Sequence, residues 1–495
     1  MGLSRRAILK GIGAAGIAGA VGGLRARGAL GQVSGQTYKV LEIFLAGGLS
    51  HRDTLWLHSA ATPFCGSAQT PVPPSPEIWL GQECKWGEAQ EAWAQVQWGA
   101  GSPAAEHEPV ASRRPTAGSP AITVGDARCS LALDPLVNPA FGDSQLFRTR
   151  VVAMWNPAGG VHELAIPNAL GGDLPQRPGL LGIGAAVMRH VQTTLPQMAH
   201  PANALVLHPG TRPDTVAIAA ATGTFGPTCR PATLALPDAN VADRVARLRD
   251  QKSLRDGIGA AYANRYHSRL SGLRSDVDAA YQGSYEATRR ADQLSEYLAN
   301  IQLTSSSDAA PARLEATVQA AKDALTRPET RHVTVLDSGA FGHLDTHAYH
   351  GSATSWQTHA TVHNHELWWI LRCLRTGNNP IDFDDVLVVI HTEFGRTLLR
   401  EMSDHCHWGY AALLIGGPTQ GGSFGSFHPA GHAVSPLQPR DLRAGMLYAL
   451  GIDPAAPAGG PLVPGRPLLG FQLGYTPTLA QYKSLWCGSV FGGAL

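Results

Sequence analysis

Short apolar runs recur along the chain, and each stops abruptly at Gly, His, Asp or Asn: "VLEIFLAGG" (40–48), "RVVAMWNPAGG" (150–160), "NALVLHPG" (203–210), "HVTVLDSG" (332–339), "DVLVVIHTEFG" (385–395) and "AALLIGG" (411–417). Four to six aliphatic or β-branched residues without polar alternation predict strands buried on both faces. Helical patterns lie between them. "PGLLGIGAAVMRHVQ" is one, and "PRDLRAGMLYALGI" is another. "SWQTHATVHNHELWWILRCLRT" brings Trp356, His359, His363, Leu367, Ile370 and Leu374 near one helical face. Strands alternating with helices predict a mostly parallel sheet covered on both sides, a three-layer α/β/α sandwich.

Two stretches break this rhythm. Residues 58–146 are rich in Pro, Gly and Ser and predict an irregular insertion, and 236–330 is a long, mostly polar helical region. The frame is one α/β domain over 32–475, with 476–495 as a C-terminal tail.

In open α/β sheets ligands collect at the carboxyl ends of the strands. A buried strand fixes its backbone, so the first residues beyond it hold polar groups in a defined constellation. Five such places stand out. "GGLSHRD" offers Ser50, His51 and Asp53 after a glycine turn. "GHLDTHAYH" spaces His343, Asp345 and His347 by two, which puts all three on one side of an extended segment. "VLVVIHTEFGRT" ends in His391, Glu393 and Arg396. Here Glu393 is a candidate ligand, and Arg396 either clamps a substrate anion or pairs with Glu393. "SDHCHWG" offers Asp404, His405 and His407 ahead of the last core strand, with Cys406 a weaker candidate. "NPAGGVHELA" places Asn156 and His162 at a helix start, where an anion docks favourably. Imidazoles and carboxylates together suit zinc, manganese or iron.

Composition narrows the classes. The 495-residue chain is 44% hydrophobic and 16% charged, with a net charge of +1, enough apolar residues for a large core. That balance gives no reason to expect a nucleic-acid partner. No GxGxxG follows the first strand and no CxxCH is present, which argues against a redox enzyme. The seven cysteines show no zinc-finger spacing; Cys65 and Cys84 flank one Pro-rich loop and are the first candidates for a disulfide.

The N-terminus has the three parts of an export signal: "SRRAILKG", an uncharged glycine-rich run, then "RARGALGQ". Arg5 and Arg6 ahead of Ile8, Leu9 and Lys10 resemble a twin-arginine leader, with cleavage expected after Gly31. The expected partner is the twin-arginine translocation machinery, and the expected location is periplasmic or secreted. The apolar run is too short for a stable membrane span.

"GGLSHRDT", "HLDTH", "TEFGRT" and "SDH" before "GYAALLIGG", in that order after such a leader, resemble the domain of unknown function 1501 family. The resemblance covers most of 38–475, is strongest over 332–425 and is poor over 58–146. That family is grouped with the alkaline-phosphatase-like and sulfatase-like superfamily. The resemblance implies an alkaline-phosphatase-like sandwich with one or two divalent ions (zinc, manganese or calcium) at the strand ends. It implies ligands among Asp53 or Ser50, Asp345, His347, Glu393, and Asp404 or His405.

The sequence departs from the superfamily at the nucleophile. No Ser, Thr or Cys occurs from Val151 through Gln192, where the superfamily presents one. His162 sits near that place as a ligand, a general acid or base, or a nucleophile. Ser50 is the nearest hydroxyl candidate elsewhere, and water activated by a metal is the remaining choice. The expected function is an exported metal-dependent hydrolase of phosphate or sulfate esters acting on an anionic small molecule. The alternative is a non-catalytic exported binding or assembly protein on the same fold.

Overall fold

The computed structural model describes residues 37–57, 122–124, 127–129, 148–172, 182–210, 214–223, 229–236, 246–247, 250–265, 289–301, 309–347, 353–396, 404–427, 432–452 and 490–492. The stretch expected to be a leader, the Cys65 and Cys84 expected to pair, and nearly all of the 58–146 insertion lie outside them. Of that insertion, Ile122–Val124 and Ala127–Cys129 form a small antiparallel ribbon with Leu55–Leu57.

The apolar runs form one eight-stranded sheet. Its strands are β1 (Lys39–Leu45), β2 (Thr149–Met154), β3 (Ala204–His208), β4 (Ala232–Ala235), β5 (His332–Asp337), β6 (Val386–His391), β7 (Tyr410–Gly416) and β8 (Gly422–Phe424). Their order across the sheet is β8-β2-β7-β6-β1-β5-β3-β4. The main helices are α1 (His162–Gly171), α2 (Ile183–Thr194), α3 (Thr215–Thr222), α4 (Ala310–Thr326), α5 (Ala353–Arg375) and α6 (Pro439–Ala449).

Side-chain alternation along β1 establishes the three layers. Leu41, Ile43 and Leu45 pack with Leu314 and Val318 of α4 and with Leu367 and Trp368 of α5. Val40 faces the other way, with Val187 of α2 and Leu447 of α6. Phe44 joins Ile166 of α1 and Ala217 of α3. Each such side chain contributes about 1.5–3 kcal/mol on burial, so a strand apolar on both faces is stable only between two helical layers. Trp368 and Trp369 are core residues, each 1% exposed. Within the segment expected to be a tail, Val490 and Phe491 are buried against the α2 and α6 side.

One strand runs against the rest. β7 is antiparallel to both of its neighbours, pairing Tyr410 with Met154 and Leu413 with Ile390. Parallel neighbours need a long crossover, usually helical. Among the described residues there is no helix between β6 and β7, and the two strands pair antiparallel. The start of β7 therefore lies at the same sheet edge as the carboxyl ends of β1, β2, β5 and β6.

The middle of β1 carries a charge. Glu42 is 2% exposed and lies 3.0 Å from His391 Nε2 and 3.4 Å from His332 Nε2, while the Thr334 hydroxyl donates to it at 2.9 Å. Burial pushes its carboxyl up, but the hydrogen bonds from His332 and His391 outweigh this and hold it well below the usual range. His391 thus points into the sheet interior, away from the strand mouth. Removing one partner of such a buried set strands the others. Glu42→Ala is expected to destabilise the protein by roughly 3–5 kcal/mol in urea unfolding. The folded-state pKa is depressed, so the contribution of Glu42 is full above about pH 4.3 and is lost as pH falls through the folded value.

Candidate metal centre

Four strand ends build the site. After β1 the chain turns at Gly47 (φ +116°), whose N–H donates to Glu393 Oε1 at 2.7 Å. A Cβ on Gly47 would stand 2.6 Å from the Asp345 amide nitrogen, so only glycine fits. After β6 come Thr392, Glu393 and Phe394, all fully buried. Gly395–Arg396 then pairs antiparallel with His405–Cys406, setting Arg396 opposite His405. After β2, residues 155–161 lead to His162, the first residue of α1. After β5, residues 338–347 carry Asp345 and His347.

Asn156 ties two of these segments together. Its Nδ2 donates to the Glu393 carbonyl at 2.8 Å and the Ala165 carbonyl at 3.0 Å, and its Oδ1 accepts from the Ala158 N–H at 3.0 Å.

Asp345 is the hub. Its Oδ1 lies 2.9 Å from His405 Nε2, 3.0 Å from Arg396 Nη1 and 3.3 Å from His347 Nε2. Its Oδ2 lies 3.2 Å from His162 Nε2. Burial raises this carboxyl, but His162, His405 and Arg396 together hold it far below the ordinary aspartate range. His162 is the counterpart. Burial lowers it, but contacts with Asp345 and with Glu393 (Nδ1 to Oε1, 2.9 Å) raise it to about 10. Without a metal it is an imidazolium held between two carboxylates.

Tautomers follow from the acceptors. A carboxylate and a carbonyl oxygen can only accept. The His162 Nδ1–H therefore donates to Glu393, and the His405 Nδ1–H donates to the Gly160 carbonyl. In both rings Nε2 is the atom turned toward Asp345. Phe394 stacks on the His405 ring with centroids 4.2 Å apart and fixes its plane.

Two sets of atoms converge closely enough for coordination. Single ligand atoms of His162, Asp345 and His405 lie within 4.8 Å of one another, and so do those of His347, Asp404 and His405. The two sets share His405. Two imidazoles and a carboxylate suit a borderline divalent ion. Glu393 behind His162 reproduces the carboxylate–histidine support such ligands commonly have. The residues fit a metal.

A family model described as "Protein of unknown function (DUF1501)" matches residues 382–462. Over this segment the chain is similar to that family. The matched segment holds Glu393, Phe394, Arg396, Asp404 and His405, while His162 and Asp345 lie outside it. No curated protein matches the chain. Among solved structures, one titled "Crystal structure of Ps i-CgsB in complex with k-i-k-neocarrahexaose" is similar at a TM-score of 0.32 and 9% identity, covering 84% of this chain and 72% of that one.

Of the residues singled out in the sequence, His162, Asp345, His347, Asp404 and His405 do come together. The remaining candidates stand differently. Glu393 of the matched segment is behind His162 and outside both converging sets; its Oε2 accepts from the Thr392 hydroxyl at 2.9 Å. Arg396 does not face a substrate. Its side chain is 0% exposed and donates to Asp345, the Gly47 carbonyl and the Thr346 carbonyl. The salt bridge envisaged with Glu393 forms with Asp345 instead.

Ser50 is 0% exposed and its N–H donates to His363 Nδ1 at 3.3 Å, so its hydroxyl is shut off from an entering substrate. Asp53 falls in the helical turn His51–Thr54, and its side chain is outside the described residues. His343 is exposed and belongs to neither converging set. Cys406 is buried and belongs to neither converging set. Sequence reasoning missed Phe394 and the bracing role of Asn156. Both lie in the quoted motifs, but only the fold shows what they touch.

The raised His162 pKa has a measurable consequence in metal-free protein. The ordinary value is about 6.5, and the folded value is about 10. Stability from the His162 proton is therefore full below the first and is lost as pH rises through the second. Thermal melts of metal-free protein are expected to fall more between neutral pH and pH 10 for the wild type than for His162→Gln. Parallel curves would refute the assignment.

Proposed function

We propose that this is a divalent-metal centre and that the protein is a metal-dependent hydrolase of phosphate or sulfate esters. The observation that supports it is the convergence of His162, Asp345 and His405, with Glu393 set behind His162. A zinc or manganese ion there would supply Lewis acidity and acidify a bound water.

The chain's own groups divide the remaining tasks. Arg396 fixes the Asp345 carboxylate from the buried side. Glu393 keeps the His162 Nδ1 proton in place, which leaves Nε2 as the nitrogen that would face a cation. The Gly160 carbonyl likewise holds the His405 Nδ1 proton. His347 and Asp404, both exposed, form the rim of the second set, 3.7 Å apart. That set offers room for a second ion or for handling the proton of a leaving group. No hydroxyl or thiol lies on the loop that leads to His162, and Ser50 is buried. Water is therefore the attacking group in this reading.

A second reading has its own support. Arg396, the guanidinium that contacts the cluster, is buried and committed to Asp345 and two carbonyls, so it is not free to receive an anionic group. A metal-binding protein without ester turnover fits that arrangement.

Elemental analysis and zinc titration calorimetry, with p-nitrophenyl phosphate and sulfate as substrates, separate the two. Asp345→Ala and His405→Ala are expected to abolish zinc binding and turnover. Glu393→Gln is expected to weaken zinc binding by roughly 10–100-fold, the usual effect of losing a ligand's supporting partner. Metal binding without turnover of either ester would leave the second reading. No metal in the wild type, with Asp345→Ala unchanged, would overturn the centre itself.

A further inference from the structure

Asp345 stands on a loop rather than on a strand, so something must hold that loop. At its base are two buried carboxyl groups. Asp337 ends β5 and is 7% exposed; Glu366 lies in α5 and is 0% exposed. Glu366 Oε2 accepts from the Ala340 N–H at 2.7 Å and the Phe341 N–H at 3.3 Å. Asp337 Oδ2 accepts from the Gly339 N–H at 2.9 Å. Glu366 Oε1 is buried with no N–H or hydroxyl partner, and the two side chains are within hydrogen-bonding reach of each other. The turn above them is tight: a Cβ on Gly339 would sit 1.9 Å from the Gly342 carbonyl oxygen.

We propose that Glu366 is the positioning residue of the Asp345 loop, acting as a protonated acid that donates from Oε1 to Asp337 while Oε2 holds the amides of residues 340 and 341. Two adjacent buried carboxyl groups do not both ionise. Burial, then the Asp337 charge, raises Glu366 well above the usual glutamate range. Cys373, two turns along the same helix, also feels the Glu366 charge, and burial raises its thiol so that it is neutral. The interactions that shift Glu366 and Asp337 are burial, each other and backbone amides, with no cation among them. Loss of the shared proton at alkaline pH therefore loosens the loop.

The consequence for metal affinity rests on the proposed centre; the consequence for the loop does not. Hydrogen exchange of residues 338–347 in metal-free protein, with zinc titration alongside, tests both. Glu366→Ala is expected to speed exchange in this segment by roughly tenfold, the cost of stranding buried amides, and to weaken zinc binding by at least about tenfold. Glu366→Gln is expected to match the wild type at neutral pH, because its amide N–H replaces the shared proton and its oxygen keeps both amides. After correction for intrinsic exchange, protection is expected to drop at alkaline pH in the wild type and to stay level in Glu366→Gln.

Unchanged exchange in Glu366→Ala, or equal loosening in the Ala and Gln variants, would overturn the proposal. If Glu366→Ala does not fold, the alkaline comparison of wild type with Glu366→Gln decides, and equal loss in both overturns it. If neither wild type nor Asp345→Ala binds zinc, the metal reading fails, and the exchange data still decide the role of Glu366.

Discussion

A carboxylate with no access to water must be saturated with hydrogen-bond donors, or its desolvation is uncompensated. Glu393 is in that position. One oxygen takes the Gly47 N–H and the His162 ring N–H; the other takes the Thr392 hydroxyl. Those donors come from the turn after β1, the start of α1 and the end of β6. Satisfying this one side chain therefore joins three segments far apart in sequence. Asn156 repeats the join through the Glu393 carbonyl. Asp345 then docks on the assembled surface through His162 and Arg396. The site is rigid on the Glu393 side because that side is buried. It is open on the side of His347 and Asp404, both of which are exposed.

Much of this was legible from local pattern. The uninterrupted apolar runs locate the six longest-apolar strands, since only a strand buried on both faces lacks polar alternation. His162, Asp345 and His347 stand out as polar residues in segments that follow buried strands, and Asp404 and His405 as a polar cluster just ahead of the last core strand. The direction of β7, antiparallel to both neighbours, is not announced by any local pattern. That one reversal is what brings Asp404 and His405, which precede their strand, to the edge where the other strands end.

The errors share a different cause. Residue type does not reveal what a side chain is already bonded to. Arg396 reads as a clamp for an anion, yet it is spent on Asp345 and two carbonyls. Ser50 reads as a nucleophile, yet the packing around it leaves no exposed surface. His391 sits at the end of its strand, but β1 places Glu42 beside it, and a buried carboxylate attracts the nearest imidazole. Each outcome depends on a residue from 51 to 349 positions away, which no local pattern encodes.

The same charges set the terms on which a cation enters. Without metal, the His162 imidazolium and the Arg396 guanidinium already balance the carboxylates around them, so the site is not a bare anionic trap. On the proposed reading, a cation there would have to displace the proton that Asp345 and Glu393 hold on the His162 ring. Glu393 would keep Nδ1 protonated, so the nitrogen turned toward the ion would be the one that faces Asp345. The cost of removing that proton, rather than a high density of negative charge, would set the terms of binding.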